Sequence, residues 1–249
     1  MKIMNAPVVP LTLSSPDTHT RIMFTVGHRG AKSVAPENTQ RAIRIGMKCA
    51  EFVEVDVRLS RDRVPVIIHD ADLDRTTNGR GQVGEMTIGE LAILDAGEGE
   101  HIPSLCEVCE LVKGECGLFV EIKEPGSEME VCAVLDREAP SPLWVVSFHY
   151  AILETVSEIL PDAVTGLIYS RPLPGGVGFA VRKNLQALLP RFDLLSLDLV
   201  VAAHERGIKV VPWTLNEPLE WARAVESGVD GFATDNPCAA EEWKKKTGN

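Results

Sequence analysis

No run of about 18 consecutive apolar residues occurs in this 249-residue chain, so no membrane span is expected. Positive charge is scarce as well. Twenty-five Lys and Arg face 36 Asp and Glu, a net charge of -11. That balance, with no basic stripe, argues against nucleic acid or an anionic membrane surface as the main partner. It also means that an anionic ligand would gain nothing from the global field and would have to be held by local cations. Cysteine shows no regular framework: the six fall at positions 49, 106, 109, 116, 132 and 238. Free thiols in a cytoplasmic chain are the expectation. Cys106-Glu107-Val108-Cys109 has zinc-like spacing, but it lies on a helical apolar stripe and reads as small buried side chains. Internal repeats, low-complexity tracts and a dinucleotide fingerprint around Arg171 to Gly176 are all missing. Residues 1–20 carry an apolar patch broken by Pro7 and Pro10, with no small-residue cleavage site. They read as an arm preceding the domain rather than a signal peptide.

What is present is alternation. Short apolar segments at 22–28, 52–58, 64–69, 117–123, 143–148, 163–168, 193–197, 208–213 and 230–234 read as strands, separated by helical patterns. Only Ser60, Arg61, Asp62 and Arg63 separate Leu59 from Val64, too few for a parallel crossover. Segment 64–69 must therefore fold back on 52–58 as an antiparallel hairpin, which leaves eight strands. The expectation is an α/β fold, a (β/α)8 TIM barrel over 21–249, with an insertion at about 60–103 after the second strand. Helices are expected at 39–48 after an Asn38 cap, 104–113, 128–138, 151–159, 177–189, 199–205, 218–227 and 237–245. Lys244-Lys245-Lys246 reads as a solvated helix end.

The chemistry gathers where such barrels keep it, at the C-terminal ends of the strands. On segment 52–57, Glu54 and Asp56 share one strand face while Val53, Val55 and Val57 share the other. Two carboxylates on one inward face are costly unless a cation lies between them. Segment 118–123 repeats the pattern with Glu121 and Lys123. Three carboxylates and a lysine converging in one barrel would make a hard-cation site for an anionic substrate. Gly27-His28-Arg29-Gly30 places two polar side chains between glycines that permit a turn. Glu37 is suited to hold Arg29 or His28. For Asn38, helix capping and a site role weigh equally. His69-Asp70 ends the hairpin, and the Arg and Thr groups of Leu73 to Gly79 could brace it.

In order along the chain stand His28-Arg29-Gly30, Pro36-Glu37-Asn38-Thr39, Glu54-x-Asp56, His69-Asp70, Arg75-Thr76-Thr77, Ile102-Pro103-Ser104-Leu105 and Glu121-x-Lys123. Ser147-Phe148, Trp213-Thr214-x-Asn216 and Thr234-Asp235-x-Pro237 follow. The set resembles the glycerophosphodiester phosphodiesterase family over residues 24 to about 240. The resemblance implies a barrel enzyme that cleaves a small-molecule glycerophosphodiester to sn-glycerol 3-phosphate and an alcohol. By that resemblance Glu54, Asp56 and Glu121 would bind a divalent metal, Mg2+ or Ca2+. Arg29 and Lys123 would grip the phosphate, and His28 and His69 would act as general base and acid. General acid–base catalysis contributes roughly 10²–10⁴-fold, so cationic stabilisation of the phosphoryl oxygens is also required. The glycerol 2-hydroxyl, already positioned, is the favoured attacking group over a bound water.

The chain departs from the pattern in one loop. Only Glu98, Gly99, Glu100 and His101 separate Gly97 from the Ile-Pro motif, where relatives carry a longer aromatic loop. A more open site is the expectation. Phe148, Trp213 and Leu215 remain as apolar contacts, with core packing favoured for Phe148 and Leu215. His19, His101, His149 and His204 read as surface or structural residues. Two rivals stand beside the main reading: a lysophospholipase D-type phosphodiesterase, and a silent barrel that binds a phosphorylated ligand. The silent barrel should lack one of these histidines or carboxylates, and none is missing.

Overall fold

The computed structural model describes residues 23–248; the arm at 1–20 lies outside them. Eight parallel strands run in chain order as β1 (Phe24–Gly27), β2 (Phe52–Leu59), β4 (Gly117–Ile122), β5 (Leu143–Ser147), β6 (Val164–Tyr169), β7 (Ala187–Pro190), β8 (Lys209–Val210) and β9 (Gly231–Thr234). Their order in the sheet is β8-β7-β6-β5-β4-β2-β1-β9. The remaining gap is bridged between β8 and β9 by Asp230 N to Val210 O at 3.0 Å, Ala233 N to Pro212 O at 3.0 Å and Leu215 N to Ala233 O at 2.9 Å. The barrel is thereby closed. The ninth strand, β3 (Pro65–Ile67), pairs antiparallel with β2, Val57 opposite Ile67 and Leu59 opposite Pro65. The insertion after it carries its own apolar cluster, including Ile68, Leu73, Val83, Leu91 and Ile102.

Period-2 alternation sorts β2 as expected. Val53, Val55 and Val57 pack outward with Ile43, Leu105 and Val108, beneath α1 (Gln40–Gly46) and α3 (Leu105–Val112). Inside the barrel, Phe24, Phe52, Phe119 and Trp144 form an aromatic floor, with Phe119 stacked on Trp144 at 4.5 Å and Phe52 edge-on to Phe119 at 5.2 Å. Such pairs add about 0.5–1.5 kcal/mol each beyond area burial. Gly117 makes room for the floor: a Cβ there would lie 2.3 Å from the Phe52 ring.

Five expectations fail. Residues 177–189 do not form one helix: α6 (Gly176–Arg182) stops early, and Ala187–Pro190 is strand β7, while the strand expected at 193–197 is a 3-10 turn at Phe192–Leu194. Ala and Leu are strong helix formers, and a fully buried parallel strand shows no alternation to set against that propensity. Asn38 does not cap the first helix; Thr39 does, accepting from Ala42 N. Cys49 and Cys238 are joined in a disulfide with Cα atoms 4.8 Å apart, so only Cys106, Cys109, Cys116 and Cys132 are free. Their 189-residue separation leaves no sequence pattern to read. The bond also withdraws the cysteine argument for a cytoplasmic location, since disulfides persist mainly in oxidising compartments. Among the described residues, no helix is long and apolar enough to cross a membrane.

The fifth failure is Lys244. On α9 (Pro237–Thr247), it is buried at the N-terminal end of the barrel rather than solvated. Its Nζ donates to Met23 O at 3.2 Å and Thr25 Oγ1 at 3.0 Å, and lies 3.6 Å from Glu51 Oε1. Removing it would strand buried acceptors, each worth about 1–3 kcal/mol. Lys244→Ala should lower the unfolding free energy in urea by about 1–3 kcal/mol, while Lys245→Ala and Lys246→Ala stay within about 0.5 kcal/mol.

Candidate active site

The sequence-predicted residues converge at the C-terminal end of the barrel, around a cavity of about 120 Å³. One wall is charged: His28, Arg29, Glu54, His69, Glu121 and Lys123. The opposite wall is apolar: Phe148, Ile168, Leu189, Val211, Trp213 and Ala233. The division follows strand order, since the charged groups come from β1 to β4 and the apolar ones mostly from β5 to β9.

Parallel register sets Asp56 beside Glu121. Ligand oxygens of Glu54, Asp56 and Glu121 all lie within 4.8 Å of one another, a grouping able to hold a metal ion. All three residues are buried. Lys123 Nζ reaches Glu121 Oε1 at 2.6 Å and Asp56 Oδ1 at 3.2 Å, and Arg29 Nε lies 3.1 Å from Asp56 Oδ2. Asn38, turned away from the helix, donates Nδ2 to Asp56 Oδ2 at 2.8 Å, and its Oδ1 accepts from Asp56 N at 3.2 Å. Burial and the neighbouring carboxylates push Glu54 well up, and burial with Asp56 pushes Glu121 to about 7. Burial opposes ionisation of Asp56 too, but Lys123 and Arg29 pull it down to about 2.

Two atoms of this group lack a hydrogen bond: Glu54 Oε1 and Arg29 Nε. Arg29 Nε is at ion-pair distance from Asp56 without hydrogen-bond alignment. A buried, unpartnered carboxylate oxygen beside two further carboxylates fits a hard divalent cation with oxygen ligands. A second grouping, Cys106, Glu110 and Glu138, lies among partly exposed residues on the helices, where Arg137 already pairs with Glu138.

The turn after β1 delivers the other groups. Arg29 is held at φ 51°, a left-handed conformation rare for a side-chain-bearing residue. Its amide donates to Glu54 Oε2 at 2.8 Å, and Gly30 N donates to Glu54 O at 3.1 Å. Gly30 has φ 83°, and a Cβ there would strike the α1 backbone at 2.4 Å. Arg29 Nη1 donates to Glu37 Oε1 at 2.7 Å.

Each histidine is paired with a carboxylate. His28 Nδ1 donates to Asp235 Oδ1 at 2.6 Å, and His69 Nδ1 to Asp70 Oδ1 at 2.6 Å. A carboxylate only accepts, so the proton is fixed on Nδ1 in both rings. Burial lowers the pKa of each histidine despite these partners. Asp235 is itself held by Asn216 Nδ2 at 3.0 Å and lies 3.5 Å from Lys32 Nζ.

Sequence reasoning gave Asp235 only as part of the motif Thr234-Asp235-x-Pro237 and missed its bond to His28, 207 residues away. The signal was its position after β9, on the same rim as the other groups. Ser147 is buried and donates to Ile122 O, a structural bond. Leu215 is core as expected, but Phe148 is not: it is 42% exposed, lines the cavity and meets Trp213 edge-on at 5.7 Å. Residue 148 follows β5, where the chain has already left the packed barrel. No residue of the short loop 98–101 lines the cavity. That loop is fastened to α1 instead, Glu98 pairing with Arg41 and Glu100 accepting from Arg41 N.

A model of the glycerophosphoryl diester phosphodiesterase family matches residues 28–239. The chain is 34% identical over 229 residues to the glycerophosphodiester phosphodiesterase of Caldanaerobacter subterraneus subsp. tengcongensis, covering 86% of this chain and 94% of that protein. It is 35% identical over 238 residues to glycerophosphodiester phosphodiesterase 1 of Bos taurus, covering 77% and 71%. Among solved structures, an Oleispira antarctica phosphodiesterase in complex with the product sn-glycerol-3-phosphate matches with a TM-score of 0.83 at 29% identity, covering 90% and 96%.

The carboxylate cluster can be tested without substrate. In the cation-free fold, burial and the neighbouring Asp56 and Glu121 raise the Glu54 pKa well above 4.5. Its stabilising contribution is fully present below the unfolded value and is lost as pH rises through the folded one. Glu54→Gln removes that loss. Urea unfolding in EDTA should show the variant more stable than the parent at pH 8, with the gap closing toward pH 4.5. Excess Mg2+ or Ca2+ should then stabilise the parent and not the variant. Identical pH dependence in the two proteins would contradict the electrostatic account.

Proposed function

The chain belongs to the glycerophosphoryl diester phosphodiesterase family and is a glycerophosphodiester phosphodiesterase; from that premise we propose that its hydrolysis is metal-dependent and runs on His28 and His69. The observation that carries the proposal is the buried carboxylate triad, with its unpartnered Glu54 oxygen, facing two carboxylate-held imidazoles across one cavity. Products are sn-glycerol 3-phosphate and an alcohol. We assign Glu54, Asp56 and Glu121 to a divalent cation, Mg2+ or Ca2+, which when bound neutralises charge on the phosphoryl oxygens. Arg29 and Lys123 are assigned to the phosphate. The domain is read as one barrel over 21–249, with the insertion at about 60–103.

His28 is the more enclosed imidazole and His69 the more open, with side-chain exposures of 12% and 32%. That difference supports His28 as base at the enclosed glycerol and His69 as acid at the departing alcohol. Nδ1 is committed to a carboxylate in each ring, so Nε2 handles the transferred proton. His28 Nε2 accepts the proton of the glycerol 2-hydroxyl as its oxygen bonds to phosphorus, and His69, entering as the imidazolium with Nδ1–H held by Asp70, donates its Nε2 proton to the leaving oxygen as the phosphorus–oxygen bond breaks. Water then opens the cyclic phosphate with the two roles reversed. Turnover in 18O-labelled water with trapping of a cyclic species distinguishes this from direct water attack.

The apolar wall gives a specific reason to keep a lysolipid in the test. Its cavity of about 120 Å³ suits a glycerol-sized group, however, and an acyl chain would have to lie outside, across Phe148. The purified protein should release sn-glycerol 3-phosphate from glycerophosphocholine and glycerophosphoethanolamine with Mg2+ or Ca2+ but not in EDTA. Loss of at least 10²-fold in both His28→Ala and Glu54→Ala is expected. Release only from lysophosphatidylcholine would transfer the assignment to lysolipids. A base works when unprotonated, and burial lowers the His28 pKa. With saturating cation, the acid limb of the kcat/KM profile should therefore have its midpoint below 6.5.

A further inference from the structure

Arg75 lies outside the cavity lining, in the insertion loop, with 47% of its side chain exposed. An arginine so exposed ordinarily contributes little through its ion pairs. This one is engaged along its whole guanidinium edge. Its Nε donates to Asp70 Oδ2 at 2.6 Å. Its Nη1 and Nη2 donate to Glu37 Oε2 and Oε1 at 2.9 and 2.8 Å, a two-pronged pair. Both carboxylates also accept from a cavity group, Asp70 through its other oxygen and Glu37 through the Oε1 that it shares with Arg75. Asp70 Oδ1 accepts from His69, and Glu37 Oε1 accepts from Arg29. The result is one unbroken relay, His69–Asp70–Arg75–Glu37–Arg29. Its two ends come from different parts of the barrel, His69 from the hairpin after β3 and Arg29 from the turn after β1.

We propose that Arg75 is a positioning residue: by fixing the planes of Asp70 and Glu37 together, it sets His69 and Arg29 in one geometry across the cavity mouth. The proposal rests on the roles assigned above to His69 and Arg29. A carboxylate held from one side only can rotate about its last bond. A planar guanidinium with a rigid fork removes that freedom from both carboxylates at once, and the round ammonium of a lysine cannot. The consequence reaches the chemistry in two ways. Asp70 held in plane keeps the His69 proton on Nδ1 and aims Nε2 into the cavity. Glu37 held in plane keeps Arg29 against the carboxylate triad rather than swung toward solvent. A displacement of about 1 Å at such groups is enough to cost about 10²-fold in rate.

The test compares Arg75→Ala and Arg75→Lys with the parent on glycerophosphocholine in saturating MgCl2, beside Asp70→Asn, Glu37→Gln and His69→Ala. Arg75→Ala should lower kcat about 10- to 100-fold and raise KM as Arg29 loosens, and Arg75→Lys should not rescue it. Because the relay acts as a unit, Arg75→Ala combined with Asp70→Asn should lose little more kcat than the worse single variant. An independent readout needs no turnover. In 15N-histidine spectra of the resting protein, His69 should show a fixed Nδ1–H tautomer, and Arg75→Ala should mix in the Nε2–H form. Parent-like kcat, KM and tautomer in Arg75→Ala, with His69→Ala inactive, would overturn the proposal alone. Full activity in His69→Ala would remove the underlying reading, and the proposal with it. Lower thermal stability with an unchanged His69 tautomer would make Arg75 a loop anchor, against the proposal.

Discussion

Three carboxylates crowded into the mouth of a closed barrel are the constraint that the neighbouring structure serves. Glu54, Asp56 and Glu121 are forced together by parallel register between β2 and β4, which sets Asp56 beside Glu121, and by period-2 alternation, which turns Glu54 to the same interior. Burial penalises every one of them. The chain answers with two cations, Lys123 and Arg29, and with the amide of Asn38. These hold the Asp56 pKa down, while burial and the neighbouring carboxylates raise those of Glu54 and Glu121. A site tuned in this way is unfavourable by itself and favourable around a cation. Beneath it the aromatic floor of Phe24, Phe52, Phe119 and Trp144 holds the two strands in register with apolar packing that the acids cannot supply.

The bracing of the histidines follows one logic on two sides. Each imidazole is tied at Nδ1 by a carboxylate, and each carboxylate is tied again from behind, Asp235 by Asn216 and Asp70 by Arg75. Second tethers of this kind stop a short side chain from trading one rotamer for another; Arg75 also holds the Asp70 pKa down, whereas for Asp235 burial is offset chiefly by His28. The two sides differ in what they connect. The Asp235 tether stays within the rim formed by β8 and β9, whereas the Arg75 tether crosses to Glu37 and the turn after β1. The insertion is thus tied both to β2, through the hairpin, and to the rim of β1, through a single guanidinium.

At the opposite end of the barrel, Lys244 from the last helix plugs into the carbonyl of Met23 and the hydroxyl of Thr25. The Cys49–Cys238 disulfide joins the segment after the first helix to the start of the last. Both contacts tie chain segments about 190 residues or more apart. They secure the region beside the pairing of the first strand with the ninth.

Much of this was legible beforehand. Strand and helix alternation, the four-residue gap that forces a hairpin, and the period-2 placement of Glu54, Asp56 and Glu121 determined the barrel and the contents of its mouth. Those signals are local, because side-chain direction along a strand depends only on spacing. What spacing could not reach was decided by tertiary structure. Ala187–Pro190 is a strand because burial on both faces outweighs a helical propensity read from four residues. Asn38 serves Asp56 instead of a helix because Thr39 is better placed to cap. Lys244 is buried, Cys49 meets Cys238, Asp235 holds His28 and Arg75 links His69 to Arg29 through partners that only the closed barrel brings together. The sequence by itself determined which groups stand at the rim. The closed barrel decided which of them hold one another, since a hydrogen bond depends on distances between strands that no one-dimensional pattern encodes.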